Sequence, residues 1–276
     1  MTQLDKAVVL ITGASGGFGQ QLTRQLLQTG SRLILTDVDE AGLREKVQGI
    51  QHQVTTGDVL ACLAVDLSTR EGCEILYHQV KALNIPVDIL INNAGIAVFG
   101  RMDEIPPDKW ERLMQINLLT PMRLSALFAT DMIARKQGHI VNISSLAGWW
   151  SPPGLIHYAA SKFGLRGFSE GLFHEVKDYN VKVTAVYPFF SRTPILQCEK
   201  FGSLSKIDHD FLDNVSTDPA KIMRATIRGI QHNKLHVFPD AIAQNAHLLK
   251  RYFPQIVNLI NHTFVRRLKS GQREKL

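Results

Sequence analysis

A doubly wound α/β fold, with a parallel seven-stranded sheet and helices on both faces, is predicted by three features of this sequence. Apolar, β-branched runs alternate with amphipathic segments of helical length along almost the whole chain. Several of the runs are nearly continuous in Val, Ile and Leu, as strands covered on both sides must be. The 276 residues are 45% hydrophobic and 20% charged, and no repeat, low-complexity tract or linker divides them. One domain spanning 1–276 follows.

The elements can be placed in order. Ala7–Thr12 reads as the first strand and runs into the glycine-rich stretch Thr12-Gly13-Ala14-Ser15-Gly16-Gly17-Phe18-Gly19, followed by a helix over 17–29. Arg32–Asp37 is the second strand, 40–49 the second helix, Leu60–Asp66 the third strand and 69–83 the third helix. Val87–Asn92 is the fourth strand. After Pro106-Pro107, Asp108 and Glu111 have the spacing of a capping box, which starts a long helix over 108–136. His139–Ser144 is the fifth strand, 155–178 a helix, and Val181–Tyr187 the sixth strand. The stretch 189–216, rich in Phe, Ser and Asp, reads as an irregular lid over the sheet's carboxyl edge, where open α/β sheets bind ligands. A helix over 218–232 and the strand Lys234–Phe238 complete the sheet.

Composition excludes several classes. The three cysteines, Cys62, Cys73 and Cys198, are far apart and form no CxxC pair, so neither a zinc site nor a disulfide framework is expected; no metal is predicted. The polar start and the short apolar run from Ala7 to Ile11 do not make a signal sequence, and no run approaches the ~18 apolar residues of a membrane span. A reduced, cytoplasmic protein is expected. The net charge of +6 lies mostly in the tail, where Arg266, Arg267, Lys269, Arg273 and Lys275 face only Glu274. The rest is close to neutral, so no nucleic-acid surface is predicted.

Chemistry is concentrated in Tyr158-Ala-Ala-Ser-Lys162 and in Ser145, thirteen residues before the tyrosine. Residues four apart share a helix face, so Lys162 should stack beside the Tyr158 phenol. A phenol with a pKa of about 10 is a poor base at neutral pH, and an adjacent cation should lower that value. Tyr158 is therefore a candidate general acid/base.

The glycine loop sits between the first strand and the first helix, where backbone N–H groups and the helix dipole can hold a pyrophosphate. Gly13, Ser15, Gly17, Phe18 and Gly19 are its candidate cofactor contacts. Asp37 ends the second strand, where an acid hydrogen-bonds adenosine ribose hydroxyls and repels a 2′-phosphate. Gly16 and Val38 offer no cation to hold such a phosphate, so NAD is expected over NADP. Asp66 and Leu67 could meet the adenine amino group, or Asp66 could cap the next helix.

These residues, taken in order over about 6–195, resemble the short-chain dehydrogenase/reductase family in its compact, single-domain, Rossmann-like branch. The resemblance is carried by the glycine loop, Asp37, Asp66-Leu67, Asn92-Asn93-Ala94-Gly95, Asn117, Ser144-Ser145 and Tyr158 to Lys162. It implies a catalytic tetrad of Asn117, Ser145, Tyr158 and Lys162, in which Ser145 holds the substrate oxygen, Tyr158 exchanges a proton with it, and Lys162 also bonds the nicotinamide ribose. Asn93, Ala94 and Gly95 would lie beneath the adenosine. Pro121, four residues after Asn117, has no N–H, which leaves the Asn117 carbonyl free to hold a water relaying protons to Lys162. One stretch departs from the family: after the sixth strand, Pro188 is followed by Phe189 rather than Gly, although Thr193 remains in place to bind the carboxamide.

Phe99, Trp149, Trp150, Leu155, Phe189 and Phe190 are expected at the substrate edge. They favour a lipophilic alcohol or ketone, of steroid, retinoid or long-chain type, and hence a role in lipid metabolism. The helices over 108–136 and 155–178 match those that pair subunits in the family, so a homodimer or homotetramer is expected. Over 244–276, apolar residues from Leu248 to Phe264 recur at helical spacing before the basic tail. That helix could pack on its own domain, on a partner subunit or, peripherally, on a membrane. The rival readings are an NADP-dependent carbonyl reductase, a non-catalytic dinucleotide sensor or scaffold, and an epimerase-like isomerase. The last is disfavoured because too little chain follows the seventh strand for a substrate domain.

Overall fold

A computed structural model describes residues 1–204 and 216–256. The elements are β1 (Val8–Thr12), α1 (Gly17–Gln28), β2 (Arg32–Asp37), α2 (Glu40–Gln51), β3 (Asp58–Ala64), α3 (Arg70–Ala82), β4 (Ile89–Asn92), β5 (Val98–Phe99), α4 (Pro107–Met114), α5 (Thr120–Ala134), β6 (Gly138–Ile143), α6 (Ile156–Val176), β7 (Val181–Val186), β8 (Glu199–Lys200), α7 (Pro219–Gln231), β9 (His236–Val237) and α8 (Ala241–Tyr252).

Seven strands form one sheet in the order β3-β2-β1-β4-β6-β7-β9, and every pair is parallel. Strand alternation divides the core. Val9 and Ile11 of β1 point to the layer of α1, α2 and α7, with Leu22, Leu26, Val47 and Ile227. Val8 and Leu10 point to the opposite layer, with Leu76, Phe128, Met132 and Val176 of α3, α5 and α6. The order reverses between β1 and β4, and this switch point opens the crevice in which such sheets bind ligands.

Most boundaries shift by one or two residues from expectation, and some differ in kind. The helix expected over 108–136 is two helices joined by a π-helical turn, Gln115–Leu119. Pro121 cannot donate to the Asn117 carbonyl, and the ladder widens where that bond is missing. The expected capping box is absent: Pro107 takes the first helical position, so Asp108 lies inside the first turn and no side chain caps α4. Proline's fixed φ sets the start instead. The third strand begins at Asp58 and the last shrinks to His236–Val237. A second, two-stranded sheet joins β5 to β8, so part of the expected lid is regular structure; residues 205–215 of that stretch lie outside the described residues.

The C-terminal helix begins at Ala241. Ala243 is buried against the domain, whereas Leu248, Tyr252, Phe253 and Ile256 are exposed. The helix ends at Tyr252, short of the expected span, and residues 257–276 with the basic tail lie outside the described residues. Among the described residues, no helix is long and apolar enough to cross a membrane, and no His, Cys, Asp and Glu group could hold a metal.

Candidate active site

The glycine loop leaves β1 and is tied to β4 at once. The Thr12 hydroxyl accepts from the Asn93 and Ala94 N–H groups (3.0 Å each), and Asn93 Nδ2 donates to the carbonyls of Thr12 and Gly13 (2.9 and 3.0 Å). Gly13 has φ +64°, against Ala94. A Cβ on Gly19 would lie 2.2 Å from the Gly13 carbonyl oxygen, so only glycine lets α1 start this close to β1. No side chain caps α1, which leaves its first N–H groups without a side-chain acceptor. The Phe18 ring packs on the core instead.

Asp37 grips this loop. One carboxylate oxygen accepts from the Ser15 N–H (2.9 Å) and hydroxyl, and the other from the Val38 N–H (2.8 Å). Asp66 accepts from the Ser68 N–H (2.9 Å), which holds its carboxyl below the usual range; Thr69, not Asp66, caps α3. The capping alternative for Asp66 is thereby removed. The buried Leu67 accepts through its carbonyl from the Thr120 hydroxyl.

The second half of the site forms where β4 and β6 end against α6. Asn117 is fully buried, and its side chain clasps the Ile96 backbone in both directions (2.9 and 2.8 Å). Its Nδ2 also reaches the Ser161 hydroxyl at 3.4 Å, which in turn donates to the Tyr158 carbonyl (2.7 Å). A Cβ on Gly95 would be 3.3 Å from Asn117 Oδ1 and 3.7 Å from Lys162 Nζ, so these three residues meet. Lys162 Nζ donates to the Ile143 carbonyl (3.0 Å), and the Lys162 carbonyl accepts from the Ser144 hydroxyl (3.1 Å). Ser145 caps the short turn Leu146–Gly148 through the Ala147 N–H (3.1 Å) and hydrogen-bonds the Tyr158 hydroxyl.

Protonation differs from expectation. Burial pushes the Tyr158 phenol up to about 12, against the pull of the Ser145 hydrogen bond, while Cys198 adds to the rise. Burial also brings the Lys162 ammonium down to about 8. The expectation that Lys162 lowers the phenol is corrected, because the ammonium lies beside the ring, 5.5 Å from its centroid, and bonds to Ile143. Desolvation drives both groups toward their neutral forms.

The expected substrate wall divides. Phe189 and Phe190 are half-buried and meet edge to face (4.9 Å), beside the buried Pro188. Phe189 keeps a negative φ, so the turn accommodates a residue other than glycine. Thr193 packs on the start of α1: a Cβ on Gly17 would lie 2.6 Å from its methyl group. Trp150 is half-buried, whereas Phe99 and Leu155 are buried. Trp149 instead turns into an aromatic cluster with Tyr187, His236, Phe238 and His247, and its ring carries the Arg166 guanidinium 3.2 Å from its centroid. Its expected substrate contact is replaced by packing, because the indole lies between the Arg166 guanidinium and His247 of α8.

Sequence reasoning missed Ser161, legible inside the Tyr-x-x-Ser-Lys run, and Asp240. Asp240 accepts from the Phe189 N–H at 3.1 Å across 51 residues, a contact with no local sequence signal.

Comparison with known proteins agrees with this architecture. The short chain dehydrogenase family matches residues 7–200. The chain is 37% identical over 252 residues to mouse (Mus musculus) epidermal retinol dehydrogenase 2, covering 90% of this chain and 78% of that protein. It is 35% identical over 193 residues to Mus musculus 3-ketodihydrosphingosine reductase, covering 69% of this chain but 58% of that protein. Among solved structures, a short-chain dehydrogenase from Sphingobium yanoikuyae in complex with NADPH superposes with a TM-score of 0.77 at 24% identity, covering 98% of this chain and 96% of that one. The chain belongs to the short-chain dehydrogenase family and is an oxidoreductase with a seven-stranded, Rossmann-like parallel sheet.

Proposed function

We propose that this protein moves a hydride between NAD(H) and a lipophilic alcohol or ketone, with Tyr158 exchanging the proton at the substrate oxygen. The convergence of Ser145, Tyr158, Lys162, Asn117 and Gly95 at the ends of β4 and β6, next to the glycine loop, carries the reading. The residues suit a dinucleotide: α1 presents an uncapped N-terminus to its phosphates, and Asp37 stands where an adenosine ribose would lie. When bound, that cofactor supplies or takes the hydride.

The protein's own groups do the rest. Ser145 donates to the substrate oxygen and, through its bond to the phenol, orients it. A phenol held near 12 stays protonated at neutral pH, so it is in the form that ketone reduction needs to donate to a developing alkoxide. Lys162, charged below about 8, holds the nicotinamide ribose. Asn117 fixes the Ile96 backbone beside Lys162. The Asp37 carboxylate, with no neighbouring cation at Gly16 or Val38, favours NAD over NADP. Half-buried Phe189 and Phe190 and the retinoid and sphingoid chemistry named in two relatives support a lipophilic substrate. Exposed Met122 of α5 and Ile156 and Phe163 of α6 support subunit pairing through these helices.

Tyr158→Phe tests the proposal. It should lower kcat/KM for a lipophilic ketone by about a hundredfold or more while NADH binding stays within a few-fold. Turnover at the parental rate would show the proton route to be wrong.

A further inference from the structure

Phe189 stands at the departure from the family pattern, and its backbone is held from three directions. The Pro188 carbonyl accepts from the Leu146 N–H in the turn after Ser145 (2.9 Å). The Phe190 carbonyl accepts from the Thr217 N–H and hydroxyl (2.9 and 3.0 Å). Between them, the Phe189 N–H donates to one oxygen of the Asp240 carboxylate (3.1 Å), and the other oxygen accepts from the Ala243 N–H (2.7 Å) to cap α8. Asp240 thus joins the C-terminal helix to the Phe189–Phe190 pair.

We propose that Asp240 is a positioning residue for the reaction: its carboxylate holds the Phe189–Phe190 pair as a fixed wall of the substrate pocket and so sets which substrates fit. The inference rests on the hydride-transfer reading above. A half-buried N–H in a turn needs an acceptor, and a carboxylate serves two donors with two separate oxygens. Phenylalanine in place of glycine adds a ring whose direction depends on this turn. Without the bond, the ties at Pro188 and Phe190 remain but Phe189 itself is unheld, so its ring can shift into or away from the pocket.

The chemistry of Asp240 separates its two duties. Asparagine caps a helix as well as aspartate, but it has one carbonyl oxygen, and its NH₂ would face the Phe189 N–H donor. Asp240→Asn should therefore keep α8 and release the loop, whereas Asp240→Ala should lose both. Hydrogen exchange of the full-length protein provides one readout: in Asp240→Asn, the segment 188–191 should exchange faster while 241–252 stays protected. Steady-state reduction of two probes, acetone and benzophenone, provides the other. In Asp240→Asn, KM for benzophenone should change by about fivefold or more, with KM for acetone and the melting temperature near parental values. Parental exchange at 188–191 in Asp240→Asn overturns the proposal, as does an unchanged benzophenone KM. If the parent protein reduces neither ketone and oxidises no lipophilic alcohol such as retinol with NAD, the hydride-transfer reading fails, and the exchange measurement alone decides whether Asp240 holds Phe189.

Discussion

Lys162 Nζ lies 5.5 Å from the centre of the Tyr158 ring and donates to the Ile143 carbonyl at 3.0 Å, so its hydrogen bond goes to the end of β6 while its charge stays beside the ring. Two groups on one helix face have been brought together and desolvated together. The phenol is pushed up to about 12 and the ammonium down to about 8.

A pH profile follows with a definite sign. Ketone reduction needs the phenol protonated, which holds below about 12, and Lys162 charged, which holds below about 8. The kcat/KM for reduction should be flat at low pH and fall as pH rises through about 8. Lys162→Arg keeps its charge across this range, so any residual activity should lose that limb. A profile in which the limb stays near 8 in Lys162→Arg would assign it to another group.

Asp37→Ala removes the acceptor for the Ser15 N–H and hydroxyl and the Val38 N–H, together with the charge that opposes a 2′-phosphate. The ratio of kcat/KM with NADP to that with NAD should rise by about tenfold, while affinity for NAD falls. Paired initial-rate measurements with the two cofactors check it, and a constant ratio takes Asp37 out of cofactor choice.

Gly19→Ala places a methyl group 2.2 Å from the Gly13 carbonyl oxygen, a backbone atom that cannot rotate away. Separating α1 from β1 should cost about 2 kcal/mol or more and abolish tight dinucleotide binding. Thermal unfolding and NADH fluorescence titration measure the two effects; a parental melting temperature would contradict the close approach.

Trp149→Ala distinguishes packing from substrate contact. The indole touches Tyr187, Phe238, His247 and the Arg166 guanidinium, so its loss should destabilise the protein by about 2 kcal/mol and loosen α8. Substrate KM should change little. A large KM increase at an unchanged melting temperature would return Trp149 to the substrate wall.

Much of the site is legible in the sequence because its signals are short. The run from Val8 to Gly19 encodes strand, turn and helix start in contiguous residues, and the four-residue step from Tyr158 to Lys162 encodes a shared face. Pro121 reveals a fault in the helical ladder at Asn117, although not that the ladder widens into a π turn. The capping box at Asp108 misleads because Pro107 pre-empts the same position. The β5–β8 pairing is invisible in both segments, since each is two residues long and gains its partner only through the fold.

The sequence by itself determined the parallel sheet, the glycine-loop crevice and the identity of the residues at its edge, because periodicity and short spacings act over one or two turns of chain. Only the tertiary structure decided that Tyr158 and Lys162 are shifted toward neutrality, that Trp149 packs against His247, and that Asp240 holds Phe189. The physical reason is that exclusion of water and contact between distant segments exist only once the layers have closed on one another.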